Sequence, residues 1–382
     1  MVGRMLELCR APGMKRLELL DYGRFFAAII VVLFHYTFNG IANGKITSIS
    51  HIAAVIELSK YGYLGVELFF MISGYVIFFS ARSGAASRFA VGRAVRLYPA
   101  YWFAVLFTSF FALQWGGDLM SVGPRQVLAN LSMLQSFFGV PHVDGVYWTL
   151  LFEVTFYGAV LLLLLFGLQK HLRTLFMFWP VLLLASLALG MNALPYLGGY
   201  YCYFSAGALF AVLKQQFRWG AVFGLAVVYG LCVKFSAGGA AHLTQAKGIE
   251  FSPVVIASVI TLFFALFAFQ NTKKGESLKL PLSRTFGALT YPIYLIHAHF
   301  GYMFISRFAT EENKIAIYAL TVSMVVAIAL FVHKLIEQRL SHVWKRLFTG
   351  TIGRFVDLLQ GMLLRMNTAY SVSFSRTPPG GG

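Results

Sequence analysis

Arg24 and His35 stand eleven residues apart in DYGRFFAAIIVVLFHY, the run from Asp21 to Tyr36, which is otherwise largely apolar. Eleven residues is close to three whole turns of α-helix, so the two side chains share a face, about 16 Å apart along the axis. On a membrane helix this puts the arginine near one boundary and the imidazole deep in the apolar slab. A buried imidazole there either hydrogen-bonds a neighbouring helix or does chemistry, as a general base or a nucleophile.

Other polar residues in apolar sequence bear on that choice. Glu153 lies inside VYWTLLFEVTFYG, where a carboxylate needs a partner within the bundle; Tyr157, four residues on, can face the same cavity, and Trp148 marks the membrane interface. In FAVGRAVRLYP, Arg93 and Arg96 are neighbours on one helical face. They suit either an ordinary basic loop or a clamp on phosphate oxygens, and spacing alone does not decide. Tyr291, Tyr294 and His297 recur every third residue in LTYPIYLIHAHFG, with His299 on another face. Such a stripe serves packing with interhelical hydrogen bonds, or a site. Ser73 and Gly74 lie in YGYLGVELFFMISGYVIFF, Gly74 as a point of close helix approach, while Glu67 of the same run is expected near the outer end and wet. Glu337 follows the last apolar run, where it can pair with an arginine.

The chain that must position these groups has 382 residues, 58% hydrophobic and 12% charged, with a mean hydropathy of +0.72. Soluble proteins carry about a quarter charged residues, so this is an all-α, polytopic membrane bundle. Apolar runs bounded by charge, Gly, Pro or Asn predict about ten transmembrane helices, at 23–43, 61–81, 97–115, 146–168, 174–190, 199–213, 219–235, 252–270, 286–307 and 315–334. The first is expected to be retained, because no small-x-small cleavage pattern follows it. With both termini cytoplasmic, most of the 31 Lys and Arg fall on the cytoplasmic side, from Arg4, Arg10, Lys15, Arg16 and Arg24 at the start to the basic carboxyl-terminal segment. The net charge of +17 is therefore a topology signal, and no nucleic-acid partner is expected.

Residues 1–339 read as the membrane domain, 340–366 as a basic amphipathic helix on the bilayer surface, and 367–382 as a disordered tail. In the loop before the fourth span, residues 124–138 have the pattern of a helix, either an ordinary connecting one, which the pattern by itself favours, or an interfacial or lid helix. The three cysteines, Cys9, Cys202 and Cys232, form no framework, and no HExxH, cysteine cluster, GxSxG or nucleotide loop is present. No metal is expected.

Five segments in order, LDYGRFFAAIIVVLFH, GVELFFMISGYVI, RAVRLYPAYW, WTLLFEVTFY and LTYPIYLIH, resemble the acyltransferase 3 family of membrane acyltransferases. The resemblance implies transfer of an acyl group, most often acetyl from acetyl-CoA at the cytoplasmic face, to a hydroxyl of a cell-surface carbohydrate or glycolipid. The setting it implies is the bacterial inner membrane. It marks Arg24 and His35 as the pair on which catalysis depends, with Ser73, Gly74, Arg93, Arg96, Glu153 and Tyr157 as motif positions. Where the family often ends its last span with Glu-Lys-Pro, this chain has Glu337-Gln338-Arg339, which leaves Glu337 without an assigned role. The chain is similar to the stand-alone enzymes of the family, without an added hydrolase-like domain.

The mechanism so implied has Arg24, Arg93 and Arg96 holding CoA phosphates and His35 acting as base or acyl carrier. Glu153 would orient or balance the imidazole, and Tyr157 or Tyr294 would donate to the oxyanion. The rival from another class is a transporter or flippase for an anionic or glycan substrate, against which no inverted repeat is visible. A non-enzymatic scaffold leaves Arg24, His35 and Glu153 unexplained. The acceptor, the acyl chain and homo-oligomerisation stay open.

Overall fold

The computed structural model describes residues 17–374, all of their regular structure helical. Cys9, Arg4, Arg10, Lys15, Arg16 and residues 375–382 of the expected tail lie outside the described residues. The main helices are α1 (Glu18–Phe34), α2 (Gly65–Ala81), α3 (Ala86–Trp115), α4 (Trp148–Leu165), α5 (Leu172–Ala188), α6 (Tyr201–Gln215) and α7 (Trp219–Lys247). They continue with α8 (Pro253–Asn271), α9 (Ser283–Ile296), α10 (Ala298–Phe308), α11 (Lys314–Phe331), α12 (Ser341–Phe348) and α13 (Arg354–Phe374). Helices are what apolar runs of this length form in lipid, where each backbone polar group must find its partner within the chain.

Eight helical segments among the described residues are long and apolar enough to cross a membrane, against the ten expected from sequence, and the protein is an integral membrane protein. The two differences have physical causes. Helix α6 has 15 residues, about 22 Å of rise against a hydrocarbon core of about 30 Å. It is buried without interruption from Tyr201 to Val212, so it serves as the bundle's axis. Its tightest neighbour is α2, because Gly74 lies against the Phe204 carbonyl and Gly207 against the Met71 carbonyl, with no room for a Cβ at either position.

The second difference is a break. The run expected as one span at 286–307 is two helices, α9 and α10, parted at His297. Side chains satisfy the backbone groups there. The Asp144 carboxylate accepts from the His299 N–H at 2.9 Å and His297 Nδ1 lies 2.8 Å from the Tyr294 carbonyl, while Tyr36 adds a second donor, at 2.8 Å, to the His297 carbonyl that already accepts from Gly301 N–H. Asp144 also accepts from Val146 N–H at 3.1 Å at the start of the turn leading into α4. Asn130 sets the loop in place, taking Val143 N–H at 3.0 Å and donating to the Pro141 carbonyl at 2.9 Å. The lid pattern at 124–138 is accordingly not one helix: it is helical over Pro124–Leu131, turns at Met133 with φ +62°, and resumes as a 3-10 turn over Gln135–Phe138.

Helix α1 widens into a π-turn over His35–Asn39 and closes with Gly40–Ala42. π-Turns add a residue to the turn and recur at functional positions. The Tyr302 ring packs so closely on this turn that a Cβ at Gly40 would come within 2.6 Å of it.

Glu67 is not wet: it is 2% exposed and takes a hydrogen bond from Ser236. The helical segment starts at Ala53, well before the expected 61, which places Glu67 near its middle. Beyond α11, a π-turn over Val332–Arg339 leads into α12, whose Trp344 and Phe348 pack on Trp102 of α3. Helix α13 continues to Phe374, past residue 367 where the tail was expected to lose structure.

Replacing Asp144 by Ala strands two backbone N–H groups, His299 and Val146, each costing about 1–3 kcal/mol when buried without a partner. Asp144→Ala is expected to lower the thermal unfolding temperature in detergent by several degrees and Asp144→Asn by less; an unchanged Asp144→Ala transition would contradict the assigned role.

Candidate active site

Helices α1, α2, α3, α4 and α9 enclose a cavity of about 210 Å³. Of the residues singled out in the sequence, Arg24, Ser73, Arg93, Arg96, Glu153, Tyr157, Tyr291 and Tyr294 line it. Chain direction orders them. α1 and α9 enter beside Leu17, Asp21, Arg24 and Arg284, whereas Tyr294 and Thr149 lie toward the far end. From Arg284 to Tyr294 is ten residues, about 15 Å of helix.

The near end is cationic: four arginines, Arg24, Arg93, Arg96 and Arg284, share the lining with two carboxylates, Asp21 and Glu153. Arg24 lies 3.8 Å from Asp21, and Arg96 lies 3.7 Å from Glu337 with its guanidinium over the Tyr291 ring. The Arg93 guanidinium sits over Tyr157, and its Nε is buried with no protein partner. Glu337 is itself buried and held at 2.8 Å by His333 on the same π-turn. Pairing with an arginine is therefore what Glu337 does, and through Arg96 it bears on the cavity.

Glu153 accepts from Ser73 Oγ at 2.7 Å and from Tyr157, and feels the charges of Arg96 and Arg24. This corrects the expected link between Glu153 and His35. The carboxylate belongs to the arginine end of the cavity, about 16 Å of helix from the imidazole, because Glu153 sits level with Arg24 and α1 carries His35 three turns further. Both tyrosines expected to face an oxyanion have other partners: Tyr157 bonds Glu153, and Tyr294 contacts Thr149 Oγ1 at 2.8 Å and the Val146 carbonyl at 3.1 Å. Gly74 faces α6, and Trp148 packs on Phe152 and Tyr200, so neither lines the cavity.

His35 and His297 lie beyond the cavity's far end. The Tyr294 ring joins the two regions, 5.7 Å between centroids from His297, which in turn is 4.9 Å from His35. His35 Nδ1 contacts the Tyr302 hydroxyl, and Asn39 Nδ2 lies 3.1 Å from that same hydroxyl. Behind them, His299 Nε2 accepts from Lys45 Nζ at 2.8 Å and from Gly145 N–H at 3.2 Å, while its Nδ1 faces the Val143 carbonyl at 3.0 Å. Burial lowers the Lys45 ammonium from its ordinary value, and Asp144 opposes that shift.

Asn39, Tyr302, Lys45, Asp144 and Arg284 were not singled out as site residues from sequence. Asn39 is four residues after His35 and could have been found by helical spacing. Tyr302, Lys45 and Asp144 reach the site only through tertiary contacts, and Arg284 was absorbed into the count of topological cations.

The family model for an acyltransferase domain, acyltransferase 3, matches residues 17–334. The chain belongs to that family. The matched region includes every cavity-lining residue and both imidazoles. Nodulation protein 10 of Rhizobium leguminosarum bv. viciae is 31% identical over 120 residues, 26% of this chain and 32% of that protein, so the chain spans about a third of its relative's length. No solved structure matches.

The Tyr302 hydroxyl holds the His35 ring, and a hydrogen bond to a group that becomes charged contributes about 1.5–3 kcal/mol. Tyr302→Phe is expected to keep the fold and to slow acyl transfer about ten- to a hundredfold, measured as acylated product formed; a wild-type rate would remove Tyr302 from the site.

Proposed function

We propose that the protein is a membrane O-acyltransferase that moves an acyl group, most simply acetyl, from acyl-CoA to a hydroxyl of a cell-surface carbohydrate or glycolipid precursor. The observation that supports this best is a single cavity with an arginine cluster at one end and the paired imidazoles His35 and His297 just beyond the other. The lining fits such a donor. Arginines outnumber carboxylates, the Arg93 Nε has no protein acceptor, and Val66, Phe69, Val76, Ile77 and Leu150 offer apolar wall for an acyl-pantetheine arm.

Arg24, Arg93, Arg96 and Arg284 hold the phosphates, with Glu337 steadying Arg96. Glu153, tied to Ser73 and Tyr157, keeps the arginines spread and oriented instead of serving His35. The thioester passes Tyr294 to reach His35, and the acceptor approaches from the His35 side. By the distribution of Lys and Arg the arginine end faces the cytoplasm, and the setting is a bacterial inner membrane. Family membership supports the reaction class.

The test is mass spectrometry of surface polysaccharide from cells with and without the gene, together with assays on the purified protein. Loss of the gene is expected to remove an acetyl increment per modified sugar, and His35→Ala to abolish transfer while leaving the protein folded. Arg93→Gln and Arg96→Gln are expected to raise the KM for acetyl-CoA about ten- to a hundredfold each, with little change in kcat. Transfer by His35→Ala at the wild-type rate, or transport of a labelled glycan with no thiol release, would overturn this function.

A further inference from the structure

At the arginine end of the cavity, the π-turn after α11 carries a buried imidazole that acyl transfer does not use. His333 and Glu337, both on that turn, are 7% and 4% exposed. His333 Nδ1 lies 2.8 Å from Glu337 Oε2, and Glu337 Oε1 lies 3.7 Å from Arg96 Nη1. One carboxylate thus bridges the imidazole and a cavity arginine, with one oxygen for each. The Arg96 guanidinium also sits 5.5 Å from the centre of the Tyr291 ring.

The π-turn gives the ring a second partner. In an α-helix, residues five apart diverge by about 140°. In the i→i+5 geometry of a π-turn, residues four and five along flank residue i, so Glu337 and Gln338 both reach His333. Gln338 Nε2 lies 2.6 Å from His333 Nε2. A carboxylate only accepts, so in the neutral ring Nδ1 carries the hydrogen for Glu337 and Nε2 accepts from the Gln338 amide. In the charged ring both nitrogens donate. Glu337 then accepts as before, and half a turn of the Gln338 amide presents its oxygen to Nε2. Both protonation states keep their hydrogen bonds with no movement of the backbone.

The two states differ in what Glu337 offers Arg96. Beside a neutral ring, the carboxylate's whole charge faces the guanidinium and competes with any anion in the cavity. Beside an imidazolium, that charge is answered within the turn, and one more positive charge stands near the arginine cluster.

We propose that His333 is a positioning residue that couples the grip on acyl-CoA to protonation: a proton on His333 loosens Glu337 from Arg96 and frees that arginine for the donor's phosphates. The coupling rests on the reading of the arginine cluster as the CoA phosphate site. Linkage makes it reciprocal, so binding of CoA draws a proton onto His333.

The groups facing His333 are few. On its own turn they are Glu337 and Gln338, Lys334 and Arg339 being exposed. From α3, Arg96 reaches Glu337, while Arg93 sits over Tyr157 and Arg88 is exposed. From α9, Tyr291 lies against Arg96, and Arg284 lines the cavity. The charged residues of α12, His342, Lys345 and Arg346, are exposed, and the one charged residue of α11, Lys314, is at its other end.

The experiment measures binding of CoA to the full chain in detergent by calorimetry, at about pH 8 and about pH 6, in buffers of different ionisation enthalpy so that proton uptake is counted. CoA's own phosphate titrates in this range, so the readout is wild type against His333→Asn, which keeps an N–H for Glu337 but takes no charge. At the higher pH the two are expected to bind alike. On going to the lower pH, His333→Asn is expected to fall short of the wild-type gain in affinity by about three- to tenfold and to take up fewer protons. If His333→Asn unfolds, Glu337→Gln, which removes the coupling from its other partner, is read in its place and must lose the same gain. An unchanged gain overturns the proposal, and so does an equal loss at both pH values, which marks a structural role alone. Either result beside a wild type that binds CoA sinks the coupling only; a wild type that binds no CoA at either pH sinks the phosphate-site reading and the coupling with it.

Discussion

The arrangement around His35 depends on one interrupted helix. If α9 and α10 were continuous, the Tyr294 carbonyl and the His299 N–H would be taken by the helix's own ladder, and His297 would have no reason to fold back on its backbone. Instead the Asp144 carboxylate holds the His299 N–H and the Tyr36 hydroxyl reaches the His297 carbonyl. In a membrane bundle a broken helix survives only where buried side chains take up the freed backbone groups. Here Asp144, from the loop before α4, takes the freed His299 N–H, and Tyr36, from the π-turn after α1, adds a second bond to the His297 carbonyl, so the break ties three parts of the chain together around two imidazoles.

A second constraint is the cost of charge in an apolar medium. The cavity concentrates its cations at one end and answers them locally: Asp21 beside Arg24, Glu337 beside Arg96, Glu153 between Ser73 and Tyr157. At the imidazole end the carboxylate of Asp144 is taken up by two backbone N–H bonds, and Lys45 lies against His299 Nε2. The arginine cluster and the paired imidazoles are thus kept about three helical turns apart, with the apolar and aromatic wall between them ending at Tyr294.

Much of this was legible before folding. Helical spacing put Arg24 and His35 on one face, placed Glu153 beside Tyr157, and paired Arg93 with Arg96, and all of these except His35 meet in one cavity with Tyr291 and Tyr294. What misled was local reading of depth. Glu67 looked like the end of a span because the preceding segment, from Ala53, is less apolar, yet it extends the helix and draws the carboxylate inward. The partner of Glu153 was misjudged for a related reason: a carboxylate and an imidazole look complementary in sequence, but their helices enter at different levels.

From sequence alone came the properties set by composition and periodicity: a helical membrane protein, the polar residues that share a helix face, and the family motifs. These follow from neighbours within a turn or two, where backbone geometry dictates which side chains face together. Only the tertiary structure decided that α6 is a short buried axis, that the ninth apolar run breaks at His297, that Tyr302 and Asn39 hold His35, and that Asp144 holds the His299 N–H. Those outcomes rest on hydrogen bonds between residues more than a hundred positions apart, such as Asp144 with His299 and His35 with Tyr302, and no local pattern encodes which distant donor meets which acceptor.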